Sequence, residues 1–263
     1  MYAFEYQRAK SLADATAALS KSGGKALAGG QSLVGAMKLR LANPGSVVDL
    51  SGIGELKGIK KEGDAIIIGA LTTHAEVASS SAVKQAIPAL AALAEGIGDR
   101  QVRNRGTLGG SLANNDPAAD YPAAVLALNA TVLTNKRKIA ADDFFKGMYE
   151  TALGADEIIT AVSFPAPKKA AYVKFPQPAS RFALVGVFVA QTAGGVRVAV
   201  TGAASHVHRA KAIEDALAKS FTADAAKAVK ISAERLNNDL HGSAEYRAHL
   251  VSVLAGRAMA AMS

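Results

Sequence analysis

Cysteine is absent from all 263 residues, and so is tryptophan. Without a thiol the chain cannot build a disulfide, an iron–sulfur cluster or a thiolate zinc site from its own side chains, and it has no cysteine nucleophile. Aromatics are scarce, at 5%, and none is interleaved with the basic clusters KLR, IKK, NKRK and PKK. The stacking platform that single-stranded nucleic acid requires is therefore missing, and no nucleic-acid partner is expected. A net charge of +8 reads instead as a solvated basic surface or an attraction for an anionic cofactor. The longest strongly apolar run, Phe182–Ala190, falls well short of the about 20 residues that span a bilayer. The opening MYAFEYQRAKSLADA lacks a basic segment followed by an apolar one. A cytoplasmic chain without membrane insertion is the expectation.

Half of the residues are apolar, with much alanine, which suits tight packing of helices against strands. Periodicity predicts strands at Phe4–Tyr6, Ala26–Ala28, Val47–Leu50, Ala65–Leu71, Thr131–Thr134 and Glu157–Phe164. Helices are expected at Ser11–Ser20, Ala75–Gln85, Pro88–Gly96 and Pro122–Leu128. From Tyr172 the texture changes. Three strand-like runs (Tyr172–Phe175, Phe182–Ala190, Val196–Thr201) precede three helical ones (Arg209–Lys219, Ala223–Leu236, Ser243–Met262). Strands followed by helices in a block predict a separate α+β unit, with its boundary in the proline-rich stretch Pro165–Pro178.

Familiar catalytic patterns fail on their spacing. Gly52-Ile-Gly54-Glu-Leu-Lys-Gly58 follows a strand like a dinucleotide fingerprint, but no helix fits after it to receive a diphosphate. Gly30-Gln-Ser32-Leu-Val-Gly35 is out of register for a nucleophile elbow. His206 and His208 lack a nearby third metal ligand and read as a polar loop ahead of a helix. Asp116, before Pro117, reads as a helix N-cap. What remains is two Gly-Gly turns about eighty residues apart, in ALAGGQSLVG and RGTLGGSLANNDPAADYP. Glycine lets backbone approach a ligand closely, and successive N–H groups in such turns bind anions. Two such nests, with the hydroxyls of Ser32, Thr107 and Ser111, suit a diphosphate. Asp120, just downstream, is an acceptor suited to a ribose or ribityl hydroxyl. With no catalytic side-chain set in view, a bound cofactor has to carry any chemistry.

Taken together, LAGGQSLV (Leu27–Val34), IGALTTHAEV (Ile68–Val77), GDRQVRNRGTLGGSLANNDPAADYP (Gly98–Pro122) and DEIITAVSFP (Asp156–Pro165) resemble the FAD-binding medium subunit of molybdenum hydroxylases of the carbon monoxide dehydrogenase and xanthine dehydrogenase type. The resemblance runs essentially end to end and implies an α+β fold. It implies an FAD-binding domain of the vanillyl-alcohol-oxidase type over residues 1–170, itself two α/β lobes of about 1–55 and 56–170. A small α+β domain, a three-stranded sheet plus helices, would occupy 171–263. By the same resemblance FAD is held by Leu27, Ala28, Gly29, Gly30, Gln31, Ser32, Leu33 and Val34 in the first loop. Thr107, Leu108, Gly109, Gly110 and Ser111 hold it from the second. Asp120 binds FAD, Ile159 is the aliphatic flavin contact and Lys174 the lysine beside the flavin.

Arg100 stands where the family pattern has proline, and Arg181-Phe182 where many relatives have Asp-Tyr. The implied activity is that of an oxidoreductase subunit. It would pass electrons from 2Fe–2S clusters in a small partner subunit through FAD to an external acceptor. Molybdopterin would sit in a large partner subunit, within a dimer of heterotrimers. Two other readings of the sequence stand beside it: a self-contained flavin-dependent oxidoreductase of the same fold, and a basic α/β binding protein without redox chemistry.

Overall fold

Ser11 starts the first helix through its hydroxyl, which accepts the Asp14 N–H at 3.1 Å, and Gly23 ends it in the left-handed conformation at φ 60°. A computed structural model describes residues 1–262. The N-terminal lobe contains β1 (Glu5–Arg8), α1 (Leu12–Ser22), β2 (Lys25–Leu27), α2 (Leu33–Lys38) and β3 (Ser46–Asp49). β3 is central and pairs in parallel with β1 on one side and β2 on the other. Val48 and Leu50 bury there with Ala15 and Leu19 of α1.

A 3-10 turn at Gly54–Leu56 leads into the second lobe, and no α-helix occupies the Gly52–Gly58 segment. There β4 (Ile59–Glu62) and β5 (Ala65–Gly69) precede five short helices, α3 (His74–Ser79), α4 (Ser81–Ala86), α5 (Pro88–Glu95), α6 (Arg100–Arg105) and α7 (Leu108–Asn114). After them come α8 (Tyr121–Ala127), β6 (Thr131–Thr134), β7 (Lys138–Ala140), α9 (Ala141–Phe144), β8 (Phe145–Gly147), β9 (Glu150–Thr151) and β10 (Ile159–Pro165). The five-stranded sheet runs β4-β5-β10-β6-β7 and is antiparallel throughout. The helix expected over Ala75–Gln85 is two. Ser80 turns extended, ends α3, and caps α4 by accepting the Val83 N–H at 3.3 Å.

The C-terminal part contains β11 (Lys169–Pro176), β12 (Ala183–Thr192), β13 (Gly195–Thr201), β14 (His208–Arg209), α10 (Lys211–Lys219), α11 (Ala223–Lys227) and α12 (Ala244–Ala261). Its sheet has four strands in sequence order, not the expected three. The added strand is only two residues long. Glu214 fixes it by accepting both the Val198 N–H at 2.9 Å and the Arg209 Nε at 2.8 Å. The helix expected over Ala223–Leu236 stops at Lys227. Val229 and Ile231 beyond it pack onto the C-terminal core, and the Ser252 hydroxyl holds the Val229 carbonyl at 2.5 Å. β12 is apolar and buried from Ala183 to Ala190 because both faces are covered there. Val185, Val187 and Val189 join the core with α12, whereas Phe188 and Ala190 join the core of the second lobe.

Candidate functional site

The first glycine loop leaves β2 at Leu27 and enters α2 at Leu33. Gly30 sits at φ 75°, where an L side chain is strained. Gly29 has no space for a side chain, because the Arg105 carbonyl and the Gly106 Cα fill the place of a β-carbon. Among the described residues, the N–H groups of Gly29, Gly30, Gln31, Ser32 and Leu33 meet no acceptor; the next, Val34, donates back to the Gly30 carbonyl at 3.3 Å. Ser32 stands at the N-cap of α2 but makes no capping bond. This loop is a row of free donors, as an anion-binding turn requires.

The second Gly-Gly pair is not an open turn. It lies in the first turn of α7, whose N-cap Thr107 accepts the Gly110 N–H at 3.2 Å. The Leu108 N–H goes to the Thr72 carbonyl at 3.1 Å, Gly109 to Ala70 at 2.8 Å and Ser111 to Thr107 at 3.0 Å. These four donors are therefore committed within the chain, which corrects the expectation of a second bare nest. Glycine is needed here for close packing. A β-carbon on Gly109 would lie 2.6 Å from that of Ala70, and one on Gly110 would lie 2.9 Å from the Thr107 Oγ1 and 3.5 Å from the Ala28 Cβ. The same glycines bring the two loops edge to edge, Gly29 against Arg105–Gly106 and Ala28 against Gly110. Leu108 points into the core, fully buried. The Ser111 hydroxyl has no partner among the described residues, and the Thr107 hydroxyl keeps its own proton to donate.

Asp120 belongs to a neighbouring cluster. It is 4% exposed and accepts the Tyr172 hydroxyl at 2.5 Å and the Lys174 ammonium at 3.0 Å. Lys174 also reaches the carbonyls of Gly96 and Arg181, each at 2.9 Å. Gly186 leaves the space that the Tyr172 hydroxyl enters. Burial pushes the Asp120 carboxyl above the ordinary carboxylate range, and the Lys174 charge and Tyr172 hydroxyl oppose that shift. Its side chain caps no helix. Asp116 is no N-cap either: it closes a short turn by accepting the Ala118 N–H at 2.9 Å, and α8 begins only at Tyr121.

Ile159 opens β10 and is buried, in one core with Ala70 and Leu108. The next residue, Thr160, accepts the Ala70 N–H at 2.9 Å, so Ile159 lies in the layer behind the second loop. The two clusters are joined through Tyr121 and His74, whose ring centroids are 5.3 Å apart. The His74 N–H bonds the Gly106 carbonyl at 3.0 Å, and a β-carbon on Gly106 would strike the His74 ring. His74 Nδ1 and the Tyr121 hydroxyl are buried without a partner. Burial, helped by the Arg103 charge, pulls the imidazole down to about 4.

Sequence reading left His74 standing alone, because its contacts are all long-range. It also passed over Tyr172, although Tyr172 and Lys174 are two apart on one strand and so share a face. His206 and His208 border an open cleft with Asp142 and Arg209, and no group of three metal-ligating side chains occurs among the described residues. No helix among them is long and apolar enough to cross a membrane.

Residues 2–167 match the family described as "FAD binding domain in molybdopterin dehydrogenase", and residues 170–262 match "CO dehydrogenase flavoprotein C-terminal domain". The chain belongs to the FAD-binding medium subunits of the molybdopterin hydroxylases. As a member of this family it is an oxidoreductase subunit of the molybdenum-containing dehydrogenase type. It is 39% identical to the nicotine 6-hydroxylase medium subunit of Paenarthrobacter nicotinovorans, over 97% of this chain and 95% of that one. It is 36% identical to the carbon monoxide dehydrogenase medium chain of Hydrogenophaga pseudoflava, over 97% and 96%.

Its fold matches a solved carbon monoxide dehydrogenase from Hydrogenophaga pseudoflava that lacks the Mo-pyranopterin moiety. The TM-score is 0.90 at 37% identity, covering 99% of this chain and 97% of that one. Quinoline 2-oxidoreductase from Pseudomonas putida 86 gives 0.89 at 30% identity, covering 99% and 97%. The site suits the FAD-binding domain it belongs to. A row of free N–H groups and neutral hydroxyls fits a diphosphate, and the buried carboxylate of Asp120 is set apart in the Lys174 cluster.

Proposed function

We propose that this chain is the FAD-carrying electron-transfer subunit of a molybdenum hydroxylase complex. In this reading the first loop holds the FAD diphosphate through the N–H groups of Gly29 to Leu33 and the Ser32 hydroxyl. From the second loop, Thr107 and Ser111 contribute hydroxyls, while Leu108, Gly109 and Gly110 shape the wall. Ile159 backs that wall, and Asp120 with Lys174 forms the polar end of the site. FAD supplies the electron exchange that no side chain of this cysteine-free chain performs. The protein's share is to orient the cofactor and to keep a neutral imidazole, His74, behind the glycine loop.

Electrons would arrive from 2Fe–2S clusters of a small partner subunit and leave to an external acceptor. The molybdopterin subunit would be the third partner, in a dimer of heterotrimers. The working division is 1–170, with lobes of about 1–55 and 56–170, and 171–263. The observation that carries the reading is the run of five unsatisfied N–H groups beside the hydroxyls of a second loop. Stripping FAD from the purified complex tests the relay. Substrate should still bleach the iron–sulfur absorbance, and reduction of the external acceptor should stop until FAD is restored. Continued transfer without FAD would end this reading.

A further inference from the structure

His74 is 5% exposed, and no donor or acceptor among the described residues reaches either nitrogen of its ring. The two nitrogens are not equivalent. Nδ1 is sealed from the surface without a partner. Nε2, equally without a partner, is not sealed and keeps access to the surface. A buried polar atom left unpaired is costly, and each such atom in a native fold calls for a reason. Space-filling alone is no reason, because an apolar side chain would fill the space without the cost.

The chain holds this ring in place firmly. Thr73 caps α3, accepting the Glu76 N–H at 3.3 Å, while the Glu76 carboxylate accepts the Thr73 N–H at 2.7 Å. The His74 N–H bonds the Gly106 carbonyl at 3.0 Å and the Leu108 N–H bonds the Thr72 carbonyl at 3.1 Å. Thr73 and Thr107 form an antiparallel bridge between those two links. The root of the imidazole is thus stitched to the second glycine loop. Its Nε2 lies 2.5 Å from where a β-carbon of Gly106 would stand, and the Gly106 Cα lies 2.9 Å from where a β-carbon of Gly29 would stand. Nε2, Gly106 and Gly29 are successive neighbours where the two loops meet, and Gly29 begins the row of free N–H groups.

A neutral imidazole has one N–H donor and one bare acceptor nitrogen. Burial, helped by the Arg103 charge, keeps this ring neutral. A proton on Nδ1 would be sealed in with nothing to accept it. On Nε2 the same proton faces the junction of the loops. We propose that the Nε2–H of His74 donates a hydrogen bond to a phosphate oxygen of bound FAD, as one more neutral donor beside the five backbone N–H groups. The inference rests on the FAD reading above and adds to it a residue outside both glycine loops.

The test titrates FAD into the full-length chain stripped of flavin. His74→Met fills the space with a flexible apolar side chain and no donor. It should weaken FAD binding roughly 10- to 150-fold, while the melting temperature of the apo-protein at neutral pH stays at or above that of the wild type. His74→Gln sets an amide nitrogen near the place of Nε2 and should recover most of the affinity. In wild-type protein with isotope-labelled histidine, nitrogen–proton NMR should show His74 as the Nε2–H tautomer, with that proton moving downfield when FAD is added. A ring protonated on Nδ1, or an Nε2–H signal that FAD leaves in place, would overturn the inference even if a variant failed to fold. So would His74→Met binding FAD as tightly as the wild type, or losing affinity and apo-protein stability together with His74→Gln no better. In all of these cases wild-type FAD binding would leave the FAD reading standing. Wild-type chain that takes up no FAD would overturn both.

Discussion

At Gly109 a β-carbon would stand 2.6 Å from that of Ala70 and 2.9 Å from the Ala70 carbonyl. Gly109→Val is therefore expected to lose the packing of α7 on β5, with flavin and fold failing together. Circular dichroism and flavin content should fall in step. Ser111→Ala removes only a hydroxyl with no partner among the described residues. It should leave the melting temperature alone and weaken FAD binding roughly 10- to 150-fold, the worth of one hydrogen bond to a charged group. An unchanged dissociation constant would take Ser111 out of the site.

Asp120→Ala strands the Lys174 ammonium in a buried place, so about 3–5 kcal/mol of stability should go even without FAD. Unfolding of the apo-protein measures this. His74 has its own pH signature. Its folded-state value, about 4, lies below the ordinary 6.5. The unfolded chain thus takes up the proton first, and stability present above pH 6.5 drains away as pH falls toward 4. The loss in that window should be roughly 2–4 kcal/mol greater in the wild type than in His74→Gln. Equal acid sensitivity of the two proteins would show that His74 is not held neutral.

Among elements, the strands with continuous apolar runs were legible: β5, β10 and β12 lie where periodicity puts them. β4 was not read as a strand, because Ile59–Glu62 is mostly charged and lies on a sheet edge. α7 was hidden for the opposite reason. Two glycines in its first turn cost helix propensity, and what restores the helix is the Thr107 cap and the contact with Ala70, some forty residues away. The two glycine loops were legible as loops of interest, but which donors stay free was not. That depends on the carbonyls of Ala70 and Thr72 reaching the N–H groups of the second loop, while no acceptor among the described residues reaches those of Gly29 to Leu33. Thr107→Ala should cost about 1 kcal/mol of stability through the lost cap, read from denaturant unfolding. No loss would mean that the cap does not hold α7.

Over the whole molecule, the expected boundary between the two matched regions is crossed by shared packing rather than by a free linker. Phe188 and Ala190 of β12 bury in the core of the second lobe. Arg197 donates to the Leu126 carbonyl at 2.8 Å, Thr201 to the Ala119 carbonyl at 2.6 Å, and Tyr172 with Lys174 grips Asp120. The resemblance singled out Lys174 as the lysine expected beside the flavin. Its role as a clasp between the two regions needed the structure, because the two sides are 54 residues apart in sequence.

The central claim is that the first glycine loop, with five free N–H groups, holds FAD. Quantified flavin after acid precipitation of the purified chain tests it most directly, with Gly30→Ala as the comparison. Gly30 is at φ 75°, and alanine there would flatten the turn that aligns those donors. The wild type should release close to one FAD per chain into the supernatant, leaving a colourless pellet, and Gly30→Ala should release much less while keeping its circular dichroism spectrum. Full FAD content in folded Gly30→Ala, or wild-type chain that yields no FAD, would contradict the account.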